Sequence, residues 1–218
     1  MTELSLTPFE LLSTTRAVRK RLDFDRPVDD DVVRRCVDMA LQAPSGSNDI
    51  KMRFVVIRDP ELRKGVGDVY RDCFDMYRQM DGVYAGSLDK GSEEANAQQA
   101  RVVDSAEYLA QHMGEAPVLV LGCYEGMRVE AYPPGGPSFM GSVLPGMWSF
   151  MLAARALGLG TSWTTVHLFQ EQRVAELLGI PHDSVQQACL TPLAYTKGTD
   201  FKPAARPPAD TFIHWDRW

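Results

Sequence analysis

Cysteine is sparse and unpaired in this sequence. Cys36, Cys73, Cys123 and Cys189 form no CxxC pair and have no histidine at ligand spacing. That pattern excludes a disulfide scaffold and a zinc-ribbon site, and leaves four reduced, buried thiols as the expectation. His112, His167, His182 and His214 are equally dispersed, so no metal site is assigned. A surplus of positive charge is also missing: 23 Lys and Arg against 29 Asp and Glu give a net charge of -6. No nucleic-acid partner is expected of such a surface, and any anion site must be local. The most apolar stretch, residues 143–160, is interrupted by Pro145 and Arg155, so it reads as a buried helix and no membrane association is expected. The first residues, MTELSLTPFELL, lack the cationic start and apolar middle of a secretory signal, which makes cytoplasmic the expected location. No G-x-G-x-x-G follows a strand, which removes a Rossmann nucleotide site. No internal repeat or composition break divides the chain, so residues 1–218 are expected to form one domain.

What is present is a chain that is 44% hydrophobic, enough for a compact core of mixed helices and strands. Thr7-Pro8-Phe9-Glu10 places a hydroxyl, a proline and a glutamate where a capping box needs them, opening a short helix to about Ser13. Val32, Val33, Cys36, Val37, Ala40 and Leu41 recur at helical spacing behind three aspartates, and that helix should stop near Ala43-Pro44. RFVVIR (53–58), APVLVLGCY (116–124) and QQACLTPLAY (186–195) read as buried strands, with GTSWTT (160–165) a shorter one. A further helix is expected from about Met147 to Leu157. Residues 70–99 turn polar and glycine-bearing, and are expected to form an excursion over the body, a candidate lid. Phe74, Met76, Tyr77, Met80 and Tyr84 within it are either substrate contacts or helix core. Residues 126–146 are rich in proline and glycine and read as a loop. The tail from residue 198 carries Trp215 and Trp218, too aromatic for a free end, and is expected to pack on something.

Three stretches carry chemical interest. TTRAVRKR (14–21) sets Arg16, Arg19, Lys20 and Arg21 just past a helix, either as guanidinium forks for a phosphate or as a solvated basic face balanced by Asp23 and Asp25. APSGSN (43–48) offers backbone N–H groups, hydroxyls and an amide without bulk, suited to a flat ligand, or is an ordinary helix-to-strand turn. LAARALGLGTSWTT (152–165) ends a helix at its glycines and then presents Trp163, Thr164 and Thr165.

In this order, with TRAVRKR near the start, APSGSN before RFVVI, MLAARALGLGTSWTT before the last core strand and Arg206 in a proline-rich tail, the chain resembles the FMN-dependent nitroreductase family over nearly its full length. The resemblance implies an α+β fold with a central, mostly antiparallel sheet flanked by helices. It also implies a homodimer with FMN at the subunit interface, and a C-terminal extension, here 198–218, embracing the partner. Arg16, Arg19 and Arg206 would then hold the FMN phosphate or the ring's pyrimidine edge, with Ala17 contributing main chain. Pro44, Ser45, Gly46 and Asn48 would contact the flavin from the other subunit. Trp163, Thr164 and Thr165 would lie along the ring, with Thr165 or Thr164 the catalytic hydroxyl at N5.

The implied activity is reduction of a nitroaromatic compound or quinone by NAD(P)H in a ping-pong cycle. Alternatives are a reductive dehalogenase of the same superfamily and a flavin-storage protein. Two departures stand out. Asp49-Ile50-Lys51-Met52 replaces the Gln, Pro and aromatic of many relatives, and Thr15 stands where some have a further arginine, for which Lys20, Arg21 or Lys202 could compensate.

Overall fold

The computed structural model describes residues 3–131 and 135–218. Tyr132, Pro133 and Pro134, part of the stretch read as a 126–146 loop, lie outside the described residues, as do Met1 and Thr2.

The longest strand organises the chain. β5 (Val185–Thr196) is buried along almost its whole length and pairs with β1 (Leu22–Asp23), β3 (Val118–Glu125) and β4 (Leu159–Thr161); β2 (Met52–Ile57) closes the far side of β3. Every one of these ladders is antiparallel, in the order β1-β5-β3-β2 with β4 pairing β5 off that path. The pleat sends alternate residues of β3 to opposite faces. Leu119, Leu121 and Cys123 join one core with Val66, Val69, Tyr70, Cys73 and Phe74, while Val118 and Val120 join another with Val32, Val33, Cys36, Phe150 and Ala154. A register shift opposes Gly122 to Cys189 but Cys123 to Gln187, leaving Ala188 as the extra residue of a bulge.

The helices fit their sequence signals unevenly. α1 (Pro8–Thr14) has the anticipated capping box, with the Thr7 hydroxyl accepting from the Glu10 N–H at 3.2 Å and the Thr7 N–H donating to the Glu10 carboxylate at 2.8 Å. α2 spans Asp30–Ala40, ending before the expected stop, and turns carry the chain on to Ala43. α3 (Pro60–Arg78) is capped by the Asp59 carboxylate, and α4 spans Glu93–His112. The polar excursion assigned to 70–99 is therefore helix at both ends, and only 79–92 connects. The reason is amphipathic spacing: Val66, Val69, Tyr70, Cys73 and Phe74 recur every three or four residues and are buried, whatever the acids between them do.

That connection is pinned. Gln99 donates to the Ala85 carbonyl at 2.8 Å, Tyr84 to Glu107 at 3.0 Å, and the Ala85 N–H to the Tyr77 hydroxyl at 2.8 Å. Tyr77 and Tyr84 pack against the core, whereas Met76 and Met80 stay exposed. The stretch read as a 126–146 loop contains α5 (Gly136–Gly141) and the first turn of α6 (Leu144–Ala156); prolines at both helix starts suit a position whose N–H needs no partner. α7 (Glu171–Leu178) completes the set.

GTSWTT is strand only at its start, since Thr164 rejoins β5 through a bridge to Leu190. Beyond β5 the tail stays on the surface. Trp215 is 81% exposed and Trp218 stacks on His214 with ring centroids 4.4 Å apart, so within the single chain these rings do not find the packing expected of them. Among the described residues no helix is long and apolar enough to cross a membrane.

Candidate cofactor site

Two glycines bring the first stretch into place. Gly158 adopts φ 79°, which lets α6 end and β4 begin at once. Gly160 then passes so close to Val18 and Leu22 that a Cβ there would lie 2.9 Å from either side chain. This approach allows the Val18 N–H to donate to the Thr161 carbonyl at 2.8 Å, with Ala17 bridged to Thr161. Val18 turns into the core, and Arg16 and Arg19 flank it.

The cluster then divides. Lys20 pairs with Asp104 and Arg21 with Asp200, each at 2.5 Å, so the reading as a balanced basic face holds for half of the cluster. The carboxylates that balance it are Asp104 and Asp200, where Asp23 and Asp25 were expected. Arg16 and Arg19 meet no carboxylate within ion-pair distance among the described residues. Arg16 donates to the Lys202 carbonyl at 3.1 Å and Arg19 to the Ser105 hydroxyl at 3.1 Å, which itself donates to the Val102 carbonyl. Partial burial pulls the Arg19 guanidinium below its ordinary value, opposed by the nearby Tyr70. A half-buried cation of this kind gains from any anion placed beside it.

Arg16, Ala17, Arg19 and Arg206 line one cavity of about 520 Å³, with Thr15, Gln98, Val102 and Lys202 among its other walls. Four residues singled out in the sequence thus converge, although Arg206 lies far along the chain. The sequence reading missed Ser105, Gln98 and Val102. Their spacing puts them on one face of α4, a signal hidden while the start of that helix was read as an excursion.

The loop before β2 is built differently. Ser47 (φ 56°) and Asn48 (φ 55°) are consecutive non-glycine residues in the left-handed region, a conformation that costs of order 1–3 kcal/mol per residue and collects at ligand sites. The Gly46 N–H donates to the Ser142 hydroxyl at 3.1 Å, which fastens the loop to the end of α5. Ser142 was not singled out in the sequence because nothing local marks it. Pro44, Gly46 and Asn48 are exposed and Ser45 is half-buried. None of the four lines the Arg16 cavity. Lys51 forms an ion pair with Asp49 at 3.2 Å.

The third stretch is held by β5. The Ser162 N–H donates to the Thr191 hydroxyl at 2.9 Å, and Thr164 exchanges both backbone hydrogen bonds with Leu190. The Thr164 hydroxyl also donates to the Leu190 carbonyl, at 2.8 Å. Its one proton is therefore spent inside the fold. Thr165 is exposed and its hydroxyl has no partner among the described residues, so it is the threonine with a donor to offer outward. Trp163 is half-buried between two core clusters. Below, His167 is fully buried with both ring nitrogens unpartnered, and burial depresses its pKa to about 3.

The model of the nitroreductase family matches residues 12–195. A relative from Archaeoglobus fulgidus, described as an NADH dehydrogenase/NAD(P)H nitroreductase, is 25% identical over 212 residues, spanning 96% of this chain and 97% of its own. Among solved structures, oxidised iodotyrosine deiodinase bound to FMN and 3-iodo-L-tyrosine superposes with a TM-score of 0.71 at 20% identity, over 96% of this chain and 99% of the other. A mutant of the FMN- and NADPH-dependent nitroreductase NfnB from Sphigopyxis sp. strain HMH gives 0.70 at 20% identity, over 98% and 100%. The α+β architecture with a helix-flanked antiparallel sheet is common to them.

Proposed function

This chain belongs to the nitroreductase family, and from that premise we propose that it is an FMN-dependent oxidoreductase that spends NAD(P)H to reduce nitroaromatic compounds or quinones. The observation that carries the reading is the cavity that Arg16, Arg19, Lys202 and Arg206 line, with no carboxylate among its described walls. Its donor set fits a phosphate, because forked guanidinium groups and an ammonium match phosphate oxygens, each charge-assisted bond contributing about 1.5–3 kcal/mol. A volume of about 520 Å³ lies within the range of small-molecule and cofactor sites.

Bound FMN would supply the hydride chemistry, while the protein supplies position and charge. Arg16 and Arg206 would hold the phosphate, and Ala17 would contribute main chain beside them. Arg19, less solvated, would supply positive charge to the flavin ring. Thr165 would offer its hydroxyl to the flavin ring, with Trp163 and the backbone of Thr164 as further contacts. Thr164 itself acts through its backbone, its hydroxyl being committed to Leu190. In this reading NAD(P)H and the acceptor would use one site in turn, a ping-pong cycle.

Pro44, Ser45, Gly46 and Asn48 complete the site from the second subunit of a homodimer. The strained backbone at Ser47 and Asn48 supports a ligand-facing role for this loop. Residues 198–218 would embrace the partner and cover Trp215 and Trp218. The connection at 79–92 would be the lid over the acceptor.

A second reading, reductive dehalogenation, draws on the likeness to iodotyrosine deiodinase and on Thr165. Anaerobic titration of the FMN-loaded protein with NADH and NADPH, followed by nitro, quinone and halophenol acceptors, tests both. Bleaching by a nicotinamide and reoxidation by nitro compounds or quinones is the expected result. Reoxidation by halophenols alone would favour the dehalogenase, and no bleaching would leave a flavin-storage protein.

A further inference from the structure

Three arginines converge on the six residues that follow β5. Arg21 donates from Nε to the Lys197 carbonyl at 3.0 Å and from Nη2 to Asp200 at 2.5 Å, and its guanidinium lies 4.3 Å from the centre of the Phe201 ring. Arg155, reaching from α6, donates from Nη2 to the Thr199 carbonyl at 3.0 Å and to the Thr14 hydroxyl at 3.2 Å. Its guanidinium lies 4.9 Å from the centre of the same ring. Arg16 donates to the Lys202 carbonyl. The next residues, Lys202, Pro203, Ala204 and Arg206, are walls of the cavity.

Arg155 is the odd member. It is only 4% exposed, pairs with no carboxylate among the described residues, and has Nε and Nη1 buried without an acceptor. Desolvation, and then the neighbouring Arg21, push its guanidinium below its ordinary value. A buried cation left this poorly matched does little for cohesion, since an apolar side chain of similar volume would serve the core better. What it does reach is the turn that aims the chain out of the sheet and along the cavity.

We propose that Arg155 is a positioning residue for the anion site. Through the Thr199 carbonyl and the Phe201 ring it fixes the 197–202 turn, and that turn fixes two cations at once: Arg206, carried downstream of it, and Arg16, tethered to the Lys202 carbonyl. The cation wall is then set before ligand arrives, so binding loses less to ordering of side chains and chain. This inference rests on the reading that the cavity holds the FMN phosphate.

The test is a double-mutant cycle on FMN affinity, read by flavin fluorescence quenching. Arg155→Met is expected to weaken FMN by about tenfold, and Arg206→Ala by tenfold or more in the wild-type background but by less than about threefold once Arg155 is gone. Phe201→Leu, a change at the surface end of the same contact, should reproduce Arg155→Met if that variant folds poorly. Arg155→Lys keeps the charge but loses the planar guanidinium that meets the Phe201 ring, and should recover only part of the loss. Equal Arg206→Ala effects in both backgrounds would overturn the proposal, because a core residue that merely supports the fold has no reason to couple to Arg206.

A second readout needs no flavin. Tryptic cleavage after Lys197 in the flavin-free full chain should quicken several-fold in Arg155→Met and Phe201→Leu, and an unchanged rate would overturn the clasp by itself. A wild-type chain that binds no FMN would sink the cofactor reading, and the cleavage rates would still decide whether Arg155 holds the turn.

Discussion

Two cavities of nearly equal volume, about 520 and 540 Å³, are lined by charged residues, and they differ in whether those charges are spent. The larger lies against α2 and β2, where Arg58 pairs with Asp30 at 2.5 Å and Arg34 and Asp38 share the wall with Val33, Val37, Phe54 and Val56. Acids and bases there balance within the lining. The smaller gathers Arg16, Arg19, Lys202 and Arg206 and contains no carboxylate. Volume alone does not distinguish the two, whereas charge left unbalanced does, and only the second has a use for an anionic ligand.

The largest effect that would sharpen this contrast is on cofactor affinity. Replacing Arg16 and Arg206 together by Ala is expected to weaken FMN by at least about a hundredfold, each arginine contributing about 1.5–3 kcal/mol. Arg34→Ala in the other cavity should leave FMN affinity unchanged, as measured by the same fluorescence titration. A comparable loss from Arg34→Ala would erase the distinction.

Next in size is an acid effect beneath the site. His167 titrates at about 3 in the folded chain against 6.5 unfolded, so between those values the unfolded state binds more protons. Stability is therefore expected to fall as pH drops from 6.5 towards 3, by up to about 1.4 kcal/mol per pH unit from this group. His167→Leu should flatten that slope in urea melts taken across the window. An unchanged slope would show that the buried ring is not the source.

A smaller effect separates the two threonines. Thr164→Val removes the hydroxyl bond to Leu190 and is expected to cost about 1 kcal/mol of stability in denaturant titration. Thr165→Val should leave stability within about 0.5 kcal/mol and instead alter the rate of flavin reduction in stopped flow. The reverse pattern would exchange their roles. The smallest effect belongs to the balanced cavity, where Arg58→Ala should shift stability by less than about 1 kcal/mol, since its ion pair with Asp30 is solvent-exposed.

What could be read in advance follows from how local each signal is. Strands β2, β3 and β5 announced themselves as short apolar runs, although β2, expected to be buried, buries only Met52 and Ile57 because it forms the edge of the sheet. The capping residue Thr7 marked a helix start; these signals lie within a few residues. The course of α3 and α4 was obscured by acids and by Gly82, Gly86 and Gly91, although Val66, Val69, Tyr70, Cys73 and Phe74 already had helical spacing. In the site, Arg16, Arg19 and Arg206 were legible as cations in a family pattern. Which of the clustered cations were already paired was not, because Asp104 and Asp200 come from distant parts of the chain. The same distance hid the role of Arg155, an arginine in an apolar helix whose partners Thr14 and Thr199 lie near opposite ends of the chain. The strain at Ser47 and Asn48 was equally invisible, since neither residue type demands a positive φ.

The most direct measurement compares FMN with riboflavin, which has the same ring system and lacks the phosphate, in parallel titrations of the flavin-free protein. If the unpaired cations hold the phosphate, FMN binds at least about a hundredfold more tightly than riboflavin, and Arg16→Ala with Arg206→Ala collapses that ratio towards one. Equal affinity for the two in the wild-type chain, or a ratio that survives the double substitution, would contradict the assignment of this cavity to the phosphate.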